Sequence, residues 1–244
     1  MRKAGRGKRV GTAWIWAAVA PECRLTLAAQ VGNRNLYAAR RLLRAVRHCV
    51  AKDTWPLFTS DALRHSAHVL LEAFGVWQRP TPTGKPGRPK PPVRMPHPLL
   101  GYAQVDKRRK EGRVVAVNRS IVFGSDKDIL AWAQSLRRAN GRTGQINTAY
   151  VERQNLTLRE ENGRLSRKTL AFSKTRRDLQ RQLDFWRACA NFVRPHRSLR
   201  APAPAGSGPK RWLPRTPAMA AGLSDHVWTM DALLTFRHWI YQLY

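Results

Sequence analysis

The chain has 244 residues, room for one large domain or two small ones. Its 45 Lys and Arg stand against 15 Asp and Glu, a formal net charge of +30. That excludes an ordinary enzyme surface and points to a polyanionic partner, nucleic acid ahead of anionic membrane.

Three scattered cysteines (Cys23, Cys49, Cys189) form no CxxC pair. They argue against a disulfide framework or zinc ribbon, fit a reducing compartment, and read as small buried hydrophobes. The basic run Arg2–Arg9 before the apolar Ala13–Ala20 imitates a signal peptide, but Pro21, Glu22 and Arg24 interrupt it. No uncharged run reaches the ~18 residues that span a bilayer. The expectation is a soluble cytoplasmic protein with no membrane partner.

Residues 1–12 form a basic N-terminal remnant. Residues 13–19 are rich in strand formers, Pro21 and Glu22 make a turn, and 24–31 follow in alternation, which predicts a hairpin. Leu36, Ala39, Leu43, Val46 and Val50 have helical spacing. Trp55–Phe58 predicts a buried strand, and Ala62–Phe74 a helix. Asp61 between them has two readings. It is the helix N-cap, or it is a site residue at the carboxyl end of a strand.

Residues 79–98 hold eight of the 16 prolines with Lys85, Arg88, Lys90 and Arg94 among them. This basic connector cannot be helix or inner strand and reads as a flexible loop. Gly101–Val105 and Val114–Val117 flank a Lys/Arg-rich turn with Gly112, a second hairpin. Ser125–Arg138 predicts a helix capped by Ser125, with Asp126 and Asp128 at its positive end. A helix is predicted over Asn147–Asn162 and another over Lys168–Phe192, the latter with Leu170, Leu179, Leu183 and Trp186 on its apolar face. Residues 200–215 are a linker, and the tail 216–244 carries a short helix from about Asp231. Trp14, Trp16 and Trp186 fit core positions. His65 and His68 lie three apart on a helix, with no third zinc ligand evident.

The stretch Asn147-Thr-Ala-Tyr-Val-Glu-Arg-Gln-Asn155 sets one carboxylate, Glu152, among cations that include Arg153 and Arg159. An acid that holds a divalent metal, flanked by cations that hold phosphates, suits phosphodiester chemistry. A surface Glu in helix salt bridges is the plainer reading.

Five stretches together resemble the DDE-class transposases of bacterial insertion sequences, in the branch related to the first-described insertion sequence. They are Leu57–Asp61, Asn147–Asn155, Asn162–Lys174, Asn191–Leu199 and Thr216–Gly222. The resemblance implies an α/β, RNase H-like catalytic domain over 13–199, a mixed sheet flanked by helices, with a helical C-terminal part. It implies three acids holding two Mg²⁺ (or Mn²⁺) ions about 4 Å apart for in-line displacement at phosphorus. Asp61 matches the second acid and Glu152 the third, as catalytic and metal-binding residues. Arg153, Asn155, Arg159, Arg164, Lys168, Arg194 and His196 are the implied DNA contacts.

The first acid of such relatives lies on a first, central strand, and no acid here precedes Glu22 in its hairpin turn. The expectation is therefore a chain lacking that strand, through gene decay or a misplaced start codon. Each unsatisfied group left on the neighbouring strands costs about 1–3 kcal/mol. Three functions follow for comparison. One is a transposase cutting and joining DNA, inactive in this copy. One is a catalytically dead basic DNA-binding fragment. The third is an unrelated basic scaffold of the ribosomal kind, which the ordered motifs disfavour. The family implies homo-oligomers acting on transposon ends and target DNA, and association with the nucleoid.

Overall fold

The computed structural model describes residues 13–63, 65–81, 90–140, 145–166, 170–204 and 211–236. β1 (Trp14–Ala20) and β2 (Leu25–Gly32) form the first antiparallel hairpin, with a bulge between Ala18 and Val19. Arg24 takes a left-handed conformation (φ 61°) to close its turn. α1 (Leu36–His48) starts where the Asn35 side chain accepts from the Ala38 N–H, a good N-cap.

β3 (Leu57–Asp61) begins later and ends later than the sequence suggests, so Asp61 is its last residue. It is half-buried rather than fully buried. α2 (Ser66–Phe74) starts only at Ser66, and its N-cap position is His65, with no side-chain cap. The N-cap reading of Asp61 is thereby corrected: Asp61 lies four positions before that cap. β4 (Val76–Gln78) and β5 (Val93–Met95) pair as a small antiparallel ribbon, so part of the proline-rich connector is strand rather than loop. An isolated ribbon satisfies the rule that excluded an inner strand there.

β6 (Gly101–Lys110) and β7 (Arg113–Phe123) make a hairpin much longer than its apolar ends predict. Its two-residue turn has Glu111 at φ 52° and Gly112 at φ 81°. Two positive φ values match the right-handed twist of the flanking strands, and glycine supplies one without strain. β3 pairs parallel to β6, Leu57 opposite Gly101 through Asp61 opposite Val105. A Cβ on Gly101 would meet Leu57 Cδ1 at 2.9 Å, so the residue has to be small. The order β3-β6-β7 is a mixed sheet, and β1-β2 is separate.

α3 (Asp126–Asn140) is capped as expected, with the Asp128 N–H 3.1 Å from Ser125 Oγ. α4 (Ala149–Glu161) carries Glu152. α5 (Arg176–Ala188) is shorter than predicted: Thr175 is its N-cap, and a π-helical turn, Cys189–Val193, follows it. Residues 170–175 are therefore not helical, and Leu170 is 98% exposed instead of facing the core. β8 (Ala201–Pro202) pairs with β9 (Trp212–Leu213). α6 (Pro217–Ala220) is capped by Thr216, and α7 (Met230–Thr235) by Thr229. The latter helix was expected to run to Ile240, which lies outside the described residues.

Three apolar clusters hold these layers. Val46, Leu70, Phe74, Leu100 and Tyr102 join α1 and α2 to one face of the mixed sheet, with Ala18 and Phe58 packed against them. Ala103, Val105, Ile129, Ala133 and Ile146 seat α3 on the other face. Val31, Leu158, Leu183 and Trp186 seat α4 and α5 on the first hairpin. Trp186 is a core residue, as its spacing suggested, but Trp14 is 42% exposed, with Arg34 stacked 5.1 Å from its ring centroid. Cys189 is buried, Cys23 half-buried and Cys49 exposed, so the buried reading holds fully for one thiol only.

Among the described residues the outer edge of β2 has no strand partner, and α5 and its π turn seal it with side chains. Asn191 accepts from the Thr26 N–H and donates to the Thr26 carbonyl, both at 3.0 Å. Gln180 accepts from the Val31 N–H and donates to the Ala29 carbonyl. Arg187 donates to the Leu27 carbonyl. Each buried group left unsatisfied costs about 1–3 kcal/mol. Asn191→Leu, which strips two partners from buried Thr26, should lower the urea-unfolding free energy by about 2–4 kcal/mol. An unchanged midpoint and slope would contradict that role for Asn191.

Candidate active site and nucleic-acid interface

α4 enters the site after Ile146, which is buried beneath α3. Arg119 on β7 donates to the Ile146 carbonyl at 2.8 Å and ties this entry to the sheet. Asn147 Oδ1 accepts from the Ala149 N–H at 3.0 Å and satisfies one open donor of the helix start. The Thr148 hydroxyl, instead of capping, donates to Glu152 Oε1 at 2.6 Å. Further along, Gln154 donates to Thr26 Oγ1 at 2.8 Å, which anchors α4 to β2.

Glu152 thus projects from the first turn toward the mixed sheet, where the Lys107 ammonium of β6 forms an ion pair with Oε1. Partial burial pushes its carboxyl pKa up. The hydrogen bonds from Lys107 and Thr148, with the charges of Lys107 and Arg109, outweigh that and leave it below the ordinary glutamate value.

Asp61 reaches the same end of the sheet by a different route. It lies opposite Val105 in a parallel register, and Lys107 is two residues further on β6. Strand alternation puts Asp61, Val105 and Lys107 on one face, with about 8 Å between the α-carbons of Asp61 and Lys107. Lys107 pairs with Glu152, and its strand lies beside the one that ends at Asp61. Asp61 is exposed, and the Leu63 N–H donates to its carbonyl at 2.8 Å.

All 15 carboxylate side chains fall within the described residues. Among the described residues no group of three His, Cys, Asp or Glu is placed to hold a metal ion. Glu22 accepts from Trp132 Nε1 at 3.0 Å, and Glu72 pairs with Arg40 and His68. Two acids, one of them carrying a lysine ammonium, do not fit the two-ion site that the resemblance implied.

The implied DNA contacts divide. Arg153 and Arg159 are exposed on α4, and Asn155 is half-buried on it. Arg164 donates to Ser173 Oγ at 3.3 Å. Arg194 pairs with Glu161, which also accepts from Trp186 Nε1 at 2.7 Å. His196 Nδ1 accepts from the Ser198 N–H at 3.3 Å and caps a 3₁₀ turn, Arg197–Leu199. Partial burial, then the charges of Arg24 and Arg153, hold the His196 pKa below the usual histidine value. Lys168 lies outside the described residues.

The sequence reading passed over Lys107, Arg109 and Arg24. Alternation along Val105-Asp106-Lys107-Arg108-Arg109 puts Lys107 and Arg109 on the face of Val105. Arg24 in the first hairpin turn stacks 4.2 Å from the Tyr150 ring centroid, beside the start of α4. No sequence signal joins those two.

Lys107→Met should raise the Glu152 carboxyl pKa, read by carbon NMR titration. Since the folded pKa is depressed, the pair's stabilisation is present above the ordinary glutamate value of 4.5 and is lost as pH falls through the folded pKa. With Glu152 51% exposed, the stability difference at neutral pH should stay under about 1 kcal/mol. It should vanish in acid. An unmoved Glu152 titration would show that the pair does not form.

Residues 113–182 match the family model of the IS1 transposase. The match runs from the outer strand of the second hairpin, through the Glu152 helix, to the middle of α5. Searches of curated proteins and of solved structures gave no match. Through the segment that carries Glu152, this chain is similar to the IS1 transposase family.

Proposed function

We propose that this protein acts on DNA as a transposase of the IS1 kind, with strand cleavage and transfer as the ancestral reaction. Asp61 and Glu152 are its acidic pair. The observation that carries this reading is the Lys107 link. It joins Glu152, inside the family-matched segment, to the strand beside Asp61, outside it. An RNase H-like arrangement short of one strand is supported by β1 and β3. Both pack on one core cluster, yet each is unpaired on one side among the described residues.

Duplex DNA lies against the basic end of the molecule. Arg108, Arg109, Lys110 and Arg113 are exposed at the tip of the second hairpin. Arg153 and Arg159 are exposed on α4, with Asn155 and Arg164 beside them. Lys168, Arg194 and His196 complete the proposed contacts, Arg194 by exchanging Glu161 for phosphate. No helix of the described residues is long and apolar enough to cross a membrane. DNA is the polyanion that a charge of +30 suits best, and nucleoid association follows from it. Action on paired transposon ends implies a homo-oligomer.

These 244 residues bind DNA without cutting it, because the acidic pair has no third carboxylate. Divalent-metal chemistry, general in the class, needs a fuller ligand set than the pair provides. Binding to a duplex should weaken steeply with salt. Replacing Arg108, Arg153 and Arg159 together by alanine should reduce the slope of log K against log salt by about 0.9 for each lost phosphate contact. A slope unchanged from wild type would remove this surface from the interface. Incubation of a supercoiled plasmid with Mg²⁺ should give no nicking. Nicking that disappears in Glu152→Gln would show the pair to be competent as it stands.

A further inference from the structure

Away from the acidic pair, an open groove of about 520 Å³ runs between the 3₁₀ turn after α4 and the start of α5. Arg164, Lys174 and Arg181 line it, and so do Phe172 and Phe185. Phe172 is 62% exposed and Phe185 is 43% exposed. Two exposed rings and three cations give the groove both apolar and charged lining.

The groove's acid, Asp178, is engaged at the helix cap. It accepts from Thr175 Oγ at 2.6 Å, while its own N–H donates back to that oxygen at 3.1 Å. Arg181 lies 4.0 Å from Asp178, too far to neutralise it tightly. Three cations against one engaged carboxylate leave the groove positive. Its volume falls within the roughly 300–1,000 Å³ of small-ligand clefts, which suits a nucleotide and not a duplex.

We propose that this groove takes an unpaired nucleotide at the end of a DNA duplex. Phe172 and Phe185 supply the stacking faces for the base, and Arg164, Lys174 and Arg181 face its phosphates. Aromatic faces that take any base, set in a cationic channel, are the general design of single-strand binding. The proposal rests on the DNA reading above and adds a site for single-stranded ends beside the duplex surface.

Three fluorescent DNAs test it by anisotropy at one salt concentration. They are a blunt duplex, the same duplex with a short unpaired extension, and that extension built of abasic nucleotides. The base-bearing extension should tighten binding by about tenfold, in line with stacking of one base. The abasic extension should not reproduce the gain. Phe172→Ala with Phe185→Ala should bring the ratio of extended to blunt affinity toward one, while Phe172→Tyr with Phe185→Tyr should keep it. Both rings are exposed, and circular dichroism checks that the variants fold. Equal affinity for base-bearing and abasic extensions, or a gain that survives the double alanine variant, overturns the groove. Blunt-duplex binding with no gain refutes the groove alone. Failure to bind any of the three DNAs refutes the DNA reading with it.

Discussion

The sealed edge of β2 is the constraint on which the rest of the structure depends. A strand with one partner exposes a row of N–H and C=O groups on its other side, which invites pairing with another chain. Here Gln180, Arg187 and Asn191 satisfy those groups from α5 and its π turn. The π turn itself becomes intelligible: its extra residue per turn carries Asn191 to where both Thr26 groups can reach it. Side-chain amides with a donor and an acceptor can serve both kinds of backbone group, which a third strand would otherwise do. Beneath them Leu183 and Trp186 pack with Val31, so the polar seal and the apolar contact fix α5 together.

From that fixed hairpin Glu152 is positioned. Thr26, held by Asn191 through its backbone, receives Gln154 of α4 on its hydroxyl. Leu158 of the same helix drops into the cluster with Leu183 and Trp186. At its other end α4 is tied to the mixed sheet by Ile146 and Arg119. Glu152 therefore sits on a helix bridging two separate sheets, and Lys107 is the bond across the remaining gap. The lysine fixes where the carboxylate points and keeps it ionised. It also holds the place beside that carboxylate against any other cation.

Local chemistry in the sequence revealed most of the elements but not their joins. Alternation in Leu25-Thr26-Leu27 and the turn residues Pro21 and Gly112 marked both hairpins, and Ser125 marked the start of α3. The second hairpin was read short because Asp106–Lys110 looks like a charged loop. Those residues are strand because β7 supplies their backbone partners, through to Lys110 opposite Arg113. The start of α5 was set too early because Leu170 falls on its apolar period, while Thr175, a strong N-cap, lies five residues later. Glu152 and Asp61 stood out as residue types in motifs, but Lys107, which pairs with Glu152, carries no local signal. Pairing across 45 positions is decided by the register of β3 on β6 and by the seat of α4.

The charge balance links these contacts to DNA. Fifteen acids cannot neutralise 45 Lys and Arg, and several acids are turned inward on caps and ion pairs at Glu72, Glu161 and Asp178. The surplus cations repel one another, and that repulsion opposes the compact state. A polyanion bound to them would relieve it and, by mass action, would stabilise the fold. Cations cluster at the tip of the second hairpin, in Arg108, Arg109, Lys110 and Arg113, and two more, Arg153 and Arg159, are exposed on α4. The hairpin is buried only at its Gly101–Val105 base, while α4 is held on the first hairpin by Gln154 and Leu158 and on the mixed sheet through Ile146 before it.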